Sequence, residues 1–299
     1  MATISGAPVD DFDAQSLKAK KSSSRNLFNM IMTGLAALCV LLALIPLVLV
    51  LFYVFVNGAS RLNLDLFTQL PPPPGSPGGG ISNAITGTLI VVAIATAISV
   101  PVGVLCAIWL SEFGSNDTSI DEYVRFGVNM LAGVPSIIAG VFIYGIMVRP
   151  GRPGYSALAG GVALAVLMLP TIVRTADEAL KIVPQEIRWA ALGVGASKYQ
   201  TVLKVVLPAA IPSILTGVTL AIARAAGETA PLIFTALFSP FRFNGTDEPI
   251  ATLAVLVYNF AILPFKAQQE LAWAASLILV LLVLLTSIIA RMATRQQTY

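Results

Sequence analysis

Charged residues make up 11% of this 299-residue sequence and apolar residues 57%, with a mean hydropathy of +0.85. This composition lies far outside that of soluble globular proteins and predicts an integral membrane protein. The sequence has no histidine, which excludes His-based catalysis, His proton relays and most metal sites. Both cysteines, Cys39 and Cys106, lie in apolar runs, which argues against a disulfide framework, and the small net charge of +3 gives no basis for binding nucleic acid.

The N-terminal segment 1–26 is polar, without an apolar period or a cleavage site, and is predicted to be a disordered cytoplasmic tail. Four basic residues precede the first apolar run: Lys18, Lys20, Lys21 and Arg25. Because basic residues are enriched in cytoplasmic segments, this cluster places the N terminus in the cytoplasm.

Region 27–80 is predicted to contain the first membrane helix and an external loop. The loop includes LPPPPGSPGGG, residues 70–80, which combines prolines that favour an extended helix with flexible glycines. Such a composition is typical of a linker outside the bilayer.

Six apolar stretches reach the roughly 20 residues that a membrane helix requires. They are 31–56, 81–110, 124–148, 155–173, 209–237 and 271–290. The fold class is therefore all-α and polytopic, with six crossings that return the C terminus to the cytoplasm and a core at 81–295. A shorter apolar piece, 250–264, is bounded by prolines and is predicted to be re-entrant or interfacial.

Two ionisable residues, Arg224 and Glu228, lie well inside the predicted fifth span. A charge at such a depth costs about 2.5–3.5 kcal/mol by insertion scales, so it is expected to pair or to line a wet cavity. The pair either neutralises itself or lines a solute pathway, and the sequence leaves both open. Gly227 stands between them, where the missing side chain predicts room for a ligand or a neighbouring backbone, and hence a hinge.

Arg174 follows the fourth span and is expected either to line the same pathway or to extend towards the membrane surface. Two arginines favour an oxyanion, because guanidinium groups match phosphate or sulfate oxygens with forked hydrogen bonds. Glu228 would accept a hydrogen bond from the P–OH group of phosphate and repel fully ionised sulfate. This combination predicts a preference for phosphate.

Segment 185–208 is polar and helical in pattern, and it lies between two apolar spans on the predicted cytoplasmic side. Ala190-Ala191, Gly195 and the ending Val205-x-Leu207-Pro208 resemble the EAA motif of ABC-importer permeases, E-A-A-x3-G-x9-I-x-L-P. Trp189 stands where that family has Glu. The resemblance implies a coupling helix that docks on an ATPase subunit, with Trp189 docking by apolar burial more than by charge. The positions it assigns to this contact are Glu186, Trp189, Ala190, Ala191, Gly195, Ala196, Ser197 and Pro208.

Three further strings narrow the resemblance: GVPSIIAGVF at 133–142, LPTIVRTADEAL at 169–180 and ARAAGETAPLIFTAL at 223–237. Together they are similar to the phosphate-specific permeases, and GETAPL is closer to their A subunits than to their C subunits. The resemblance implies a type I importer permease fold in the inner membrane, with Arg174 and Arg224 at positions that contact phosphate; Glu228 is added to these contacts by its side-chain chemistry. It also implies a homologous permease partner, two ATPase subunits and an external phosphate-binding protein.

The sequence lacks a G-x-x-x-x-G-K-[ST] phosphate loop, so no catalysis is expected from this chain, and no cofactor. ATP and Mg²⁺ are expected on the partner subunits. Three alternatives remain: a permease for another oxyanion such as sulfate, molybdate or phosphonate, an ion-coupled secondary transporter, or a membrane enzyme. The second leaves the polar segment 185–208 without a purpose, and the third lacks a nucleophile with a base.

Overall fold

The computed structural model of the chain describes residues 24–114 and 119–295, and every regular element in those ranges is a helix. The predicted tail at 1–26 lies almost wholly outside the described residues. The chain divides after Tyr53 into two compact units. The described part of the first unit belongs to α1, Ser24–Ala59, and its side chains from Asn26 to Tyr53 are all exposed.

The second unit contains the end of α1 and the remaining helices. These are α2 (Leu64–Thr68), α3 (Ser82–Ile108), α4 (Ser119–Gly133), α5 (Ser136–Ile143), α6 (Ala157–Ile182), α7 (Gln185–Gly193), α8 (Lys198–Thr201), α9 (Leu207–Ala226), α10 (Ala230–Thr235), α11 (Leu253–Ala261) and α12 (Lys266–Arg295). Wider π-helical turns extend α3 and α5 and join α8 to α9. They are Trp109–Phe113, Tyr144–Val148 and Val202–Val206.

Five helical runs in the described ranges are long and apolar enough to cross a membrane, and a bent helix pair brings the total to six. The all-α, six-span prediction is therefore confirmed. Two of the predicted spans, the third and the fifth, differ in the structure from what the sequence indicated.

Residues 250–264, predicted to be re-entrant or interfacial, contain α11, which at nine residues extends only about 14 Å. The placement of α11 relative to a membrane stays a prediction.

The third span, predicted as one helix over 124–148, is broken. The run Ile120–Gly133 and the run Ser136–Val148 meet at an angle of 104°. Pro135 explains the break, because its ring disfavours helical backbone at Val134 and because it has no N–H to continue the ladder of α4. The string GVPSIIAGVF is the sequence of this bend.

The fifth span, predicted at 209–237, is displaced towards the N terminus and runs from Lys198 to Ala226. Pro208, which the sequence placed just before this span, is the eleventh of its 29 residues. The π-helical turn accommodates this proline, and the Leu207 N–H bonds to the Val202 carbonyl five residues earlier. This run overlaps the predicted coupling segment 185–208 from Lys198 onwards, and the coupling role of the segment stays a prediction.

Helix α6 lies at the centre of the second unit. Of its most apolar stretch, 61% is buried, against 22% for the run Ser82–Phe113 and 33% for the run Lys198–Ala226. The main core forms where α3 and α9 pack on α6, around residues such as Leu164, Ile172 and Val206. A second core joins the start of α3 to α11 and α12, around Leu256 and Leu271.

Helices α5 and α10 pack closely through Gly140. A methyl group added to Gly140 would lie 2.6 Å from the Cα atom of Pro231, a distance that side chains do not tolerate. The two strings GVPSIIAGVF and GETAPL, far apart in sequence, therefore contact each other in space.

The Pro-rich segment 70–80 is not a free linker. The side chain of Gln268, at the start of α12, donates to the Pro73 carbonyl at 3.1 Å and accepts from the Gly75 N–H at 3.4 Å. Gln268 is only 1% exposed, so these contacts replace the water that its amide group would otherwise bind. The segment is thereby held on α12.

Candidate functional site

A break in the helical chain lies between α9 and α10. Helix α9 ends at Ala226, and α10 begins at Ala230 with Pro231 in its first turn, where a missing N–H costs nothing. The intervening residues make only short-range bonds, among them Gly227 N–H to the Arg224 carbonyl at 3.1 Å and Glu228 N–H to the Ala225 carbonyl at 3.2 Å. Residues 227–229 thus end α9 and separate it from α10.

The break lies beside the middle of α6. Arg224 and Glu228 line a small cavity of about 10 Å³ together with Leu167, Met168 and Thr171 of α6. Thr171 is about 21 Å along α6 from its first residue and about 17 Å from its last, at ~1.5 Å per residue. The two ionisable side chains are therefore near the half-way depth of the most buried span, beside a cavity with room for about one water molecule.

Arg224 and Glu228 form a loose ion pair. The Arg224 Nε atom is 3.5 Å from the Glu228 Oε1 atom, and the side chains are 69% and 17% exposed, respectively. That separation is too long for a strong hydrogen bond. Within residues 24–114 and 119–295, the guanidinium group of Arg224 has no other partner. Most of its five N–H donors are therefore available to a ligand.

Gly227 adopts an ordinary helical conformation, with φ −94° and ψ −5°. A methyl group there would meet only the Arg224 carbonyl oxygen, at a comfortable 3.7 Å. No neighbouring backbone occupies the space beside it in this conformation. The hinge role of Gly227 stays a prediction.

Arg174 lines a different cavity from Arg224. That cavity has a volume of about 140 Å³, and its lining includes Arg125, Asn129, Asp177 and Glu178. Because Arg174 follows Thr171 by three residues, the two cavities succeed each other along α6, about 4.5 Å apart in rise. The structure therefore brings Arg224 and Glu228 together but places Arg174 at a second position, closer to the end of α6 that leads to α7.

The second cavity contains a charge network that the sequence did not indicate. Asp177 Oδ2 accepts from Arg125 Nη1 at 2.9 Å and from Lys181 Nζ at 2.6 Å, and Arg125 Nη2 also donates to the Leu110 carbonyl at 2.9 Å. Asp177 stands three residues after Arg174 in LPTIVRTADEAL, so an acidic residue at the end of an apolar span was the available signal. Among the described residues, no cluster of acidic and cysteine side chains is suited to hold a metal ion.

The residues that resemble the EAA motif build the end of α7. The Gly195 N–H bonds to the Leu192 carbonyl at 3.0 Å, and the Ala196 N–H bonds to the Ala191 carbonyl at 3.1 Å. This paired arrangement ends a helix with a residue of left-handed conformation, and Gly195 has φ +89°. The glycine of the motif is thus required by backbone geometry.

Ser197 then begins the next helix. Its hydroxyl accepts from the Gln200 N–H at 3.3 Å, and the Gln200 side chain accepts from the Ser197 N–H at 2.9 Å. This reciprocal cap satisfies backbone groups that a helix start leaves unpaired. Ala196 and Ser197 therefore fix the turn between α7 and the long span.

Helix α7 presents an exposed apolar surface. Trp189 is 66% exposed, and Ile187 and Leu192 are 43% and 46% exposed. Glu186 and Ala190 are also exposed, whereas Ala191 is half-buried. Beside α7 lies an open cavity of about 470 Å³ lined by Glu112, Arg188, Trp189, Lys198 and other residues. Exposed apolar residues around a concavity are typical of a protein contact surface.

A protein-family profile described as "Binding-protein-dependent transport system inner membrane component" matches residues 99–298, about two thirds of the chain. The chain belongs to this family. The matched region contains both cavities, α7 and the break between α9 and α10. The chain is thus an inner membrane component of a binding-protein-dependent transport system.

Relatives and solved structures agree with the family. The chain is 40% identical over 274 residues to the phosphate transport system permease protein PstA of Yersinia pestis, covering 92% of each chain. It is 40% identical to PstA of Haemophilus influenzae, covering 90% of this chain and 94% of that one, and 33% identical to PstA 1 of Mycobacterium tuberculosis H37Rv, covering 91% of each. Within the family the chain belongs with these PstA permeases.

Two solved transporters share the fold. The chain of the MetNI methionine ABC transporter matches with a TM-score of 0.56 at 23% identity, covering 74% of this chain and 95% of that chain. A bacterial alginate ABC transporter, solved with a periplasmic protein bound to an alginate pentasaccharide, matches with a TM-score of 0.66 at 14% identity over 93% and 98%. The fold is that of an ABC importer permease.

Proposed function

We propose that the chain is the transmembrane subunit of an ATP-driven importer of inorganic phosphate and forms half of its translocation pathway. The observation that carries this proposal is the position of Arg224 and Glu228 at a helix break beside the middle of α6. Interrupted membrane helices present backbone and polar side chains to a solute at mid-depth without exposing them to lipid. The names of the PstA relatives support phosphate as that solute.

The chemistry of the pair suits phosphate. The free donors of Arg224 can bind two phosphate oxygens in a fork, and Glu228 can accept the proton of a P–OH group. Arg174, in the next cavity along α6 towards α7, supplies a second positively charged position for the solute. Another oxyanion, such as sulfate, molybdate or phosphonate, is the second candidate, because the arginines alone would bind it equally well.

The proposed complex contains a homologous permease, two ATPase subunits and an external phosphate-binding protein. In this assembly α7 faces the cytoplasm and docks on an ATPase subunit, the Pro-rich segment lies outside, and both termini are cytoplasmic. ATP and Mg²⁺ bind to the ATPase subunits, and this chain contributes no catalytic group. Closure of the ATPase pair displaces α7, and that displacement opens the pathway to one side or the other.

The test measures phosphate-stimulated ATP hydrolysis by the reconstituted complex in liposomes with the external binding protein, comparing wild type with Arg224→Lys. Lysine keeps the charge but removes the forked geometry, and a charge-assisted hydrogen bond is worth about 1.5–3 kcal/mol. We expect stimulation to fall by roughly 10- to 100-fold while the complex stays assembled.

Arg149→Lys is the matched control, because Arg149 is exposed at the end of the π-helical turn after α5. Unchanged stimulation in Arg224→Lys would make the Arg224 and Glu228 pair structural. Equal stimulation of the wild-type complex by sulfate, offered with a sulfate-binding homologue of the external protein, would favour the second candidate.

A further inference from the structure

Arg188, on the first turns of α7, makes the most buried ion pair among those of the described residues. Its Nη2 atom is 2.8 Å from Glu112 Oε1, and the two side chains are only 11% and 8% exposed. In each of the other described ion pairs, at least one of the two side chains is more than 24% exposed. A pair this buried is held by strong attraction and loses much if one partner is removed.

The same guanidinium group also binds the end of α6. Arg188 Nη2 donates to the Leu180 carbonyl at 2.8 Å, and Nη1 donates to the Val183 carbonyl. The Leu180 carbonyl, in the last turn of α6, also accepts from the Val183 N–H at 3.3 Å, and a cation at this end of a helix interacts favourably with the helix dipole. One side chain of α7 therefore joins the end of α3, through Glu112, to the end of α6.

The residue after Glu112 contacts α8. The ring of Phe113 lies 4.9 Å from the ring of Tyr199, and the Lys198 ammonium group lies 5.2 Å from the Phe113 ring centre. Glu112 and Phe113 thus insert between α7 and the start of the long fifth span. The contacts of Phe113 reach α8, whereas only Arg188 joins α3 to α7 among the hydrogen bonds and ion pairs of the described residues.

Apart from those of Arg188, no hydrogen bond or ion pair among the described residues joins a side chain of α7 to α3 or α6, so the remaining connections of α7 include its two chain links. Its N-terminal link to α6 is Val183-Pro184, and its C-terminal link passes through the left-handed Gly195. Neither link leads directly to α3, so a displacement of α7 reaches α3 through the Arg188 contact and through side-chain packing. The buried Arg188 guanidinium group binds Glu112 and the Leu180 and Val183 carbonyls together. This contact transmits a displacement of α7, because helices that are packed and hydrogen-bonded to each other move as rigid bodies.

We propose that Arg188 is the positioning residue that makes a displacement of α7 act on α3 and α6, and that Glu112 is its partner in this role. The inference rests on the proposed function, in which an ATPase subunit displaces α7. Loss of the contact would leave ATP hydrolysis running while less solute moves per ATP.

The experiment uses the whole complex with its external binding protein in liposomes and three variants, Arg188→Lys, Arg188→Gln and Glu112→Gln. Three quantities are measured: the ATPase subunit that co-purifies, the rate of ATP hydrolysis, and the phosphate imported per ATP. We expect normal co-purification, sustained hydrolysis and a roughly 2- to 30-fold fall in phosphate per ATP. The double variant Arg188→Gln with Glu112→Gln is expected to be no worse than Arg188→Gln alone, because both act on one contact.

Glu270→Gln is the matched control, because it removes the exposed ion pair between Arg61 and Glu270 at 3.0 Å, which is remote from α7 in sequence and contact. An unchanged ratio of phosphate to ATP in Arg188→Gln would overturn the inference, and so would loss of assembly in all three variants, which would make the contact a folding element only. Failure of the wild-type complex to respond to phosphate would instead count against the proposed function.

Discussion

Glu228 and Arg224 differ sharply in how far their side chains reach solvent, at 17% and 69% exposed. The carboxylate is enclosed beside Leu167 and Met168, whereas the Arg224 side chain lines the same cavity but is mostly exposed. A ligand that approaches Arg224 therefore meets the Glu228 carboxylate on its protein side. Selectivity depends on what that carboxylate does to the ligand.

We predict that Glu228→Gln weakens discrimination against sulfate by at least about fivefold. The charged form repels a fully ionised oxyanion at contact distance by about 1–4 kcal/mol, and glutamine removes that repulsion while keeping a hydrogen-bond acceptor. The measurement is direct binding of phosphate and of sulfate to the purified complex without the external protein, since that protein imposes its own selectivity. Unchanged discrimination in Glu228→Gln would show that Glu228 serves only to neutralise Arg224.

Residues of the candidate site could be predicted from the sequence where their pattern depends on local spacing. Arg224 and Glu228 were identified because ions are rare in apolar runs, and the structure places them at one cavity. Arg125 and Asp177 are separated by 52 positions in the sequence, and Glu112 and Arg188 by 76. Nothing in the local sequence pattern predicts either contact. Gly227 was identified by its small size, which alone does not distinguish a hinge from an ordinary helix end.

At the scale of the element, α7 is nine residues long and carries its exposed apolar side chains on a helix with few tertiary contacts of its own. Isolated helices of this length are marginal in water. The two caps and the Arg188 contact therefore hold α7 in place before any partner binds. The exposed side chains remain free to form an interface.

We predict that Trp189→Ala weakens the affinity of the permease pair for the ATPase subunit by roughly 30- to 900-fold. Large aromatic residues at interface centres contribute about 2–4 kcal/mol, and Trp189 is the largest exposed side chain of α7. The measurement is a titration of the ATPase subunit onto the purified permease pair. Phe241→Ala is the control, because Phe241 is an aromatic residue of similar exposure, 74%, in the loop after α10.

An unaffected titration and intact coupled hydrolysis in Trp189→Ala would contradict docking by apolar burial. The contact would then depend on the other positions of the motif, with Glu186 as the exposed charge on α7.

The existence of the helices could be predicted from hydropathy, but their ends could not. Val134 and Pro135 continue the apolar run at the first break, and Gly227-Glu228-Thr229 interrupts it for only three residues at the second, so a window of about 20 residues spans both breaks. Pro135 and Pro231 were the physical signals, because proline restricts the residue before it and lacks an N–H. Pro208, in contrast, does not end a helix, because a π-helical turn accommodates it and the span continues.

At the scale of the molecule, the helices that follow the two breaks, α5 and α10, meet where Gly140 faces Pro231. We predict that Gly140→Ala destabilises the protein by about 1–3 kcal/mol, because the added methyl group, 2.6 Å from the Pro231 Cα atom, forces α5 and α10 apart. The measurement is the thermal unfolding temperature of the purified complex.

Gly145→Ala is the matched control, because it lies in the π-helical turn that follows α5 and its added methyl group meets nothing within 4 Å. Equal unfolding temperatures for the two variants would mean that α5 and α10 yield to each other easily, and that their close contact is not a fixed part of the fold.

The Pro-rich segment on α12 bears on how this protein is handled in the laboratory. From composition alone, residues 70–80 would be chosen as a site that tolerates the insertion of a reporter peptide, an epitope or a fluorescent tag. The buried Gln268 amide binds Pro73 and Gly75, so an insertion there would strand a polar group in the interior and loosen the start of α12. The turn at Gly151, which is exposed and where an added methyl group would meet nothing within 4 Å, is the better place for a label.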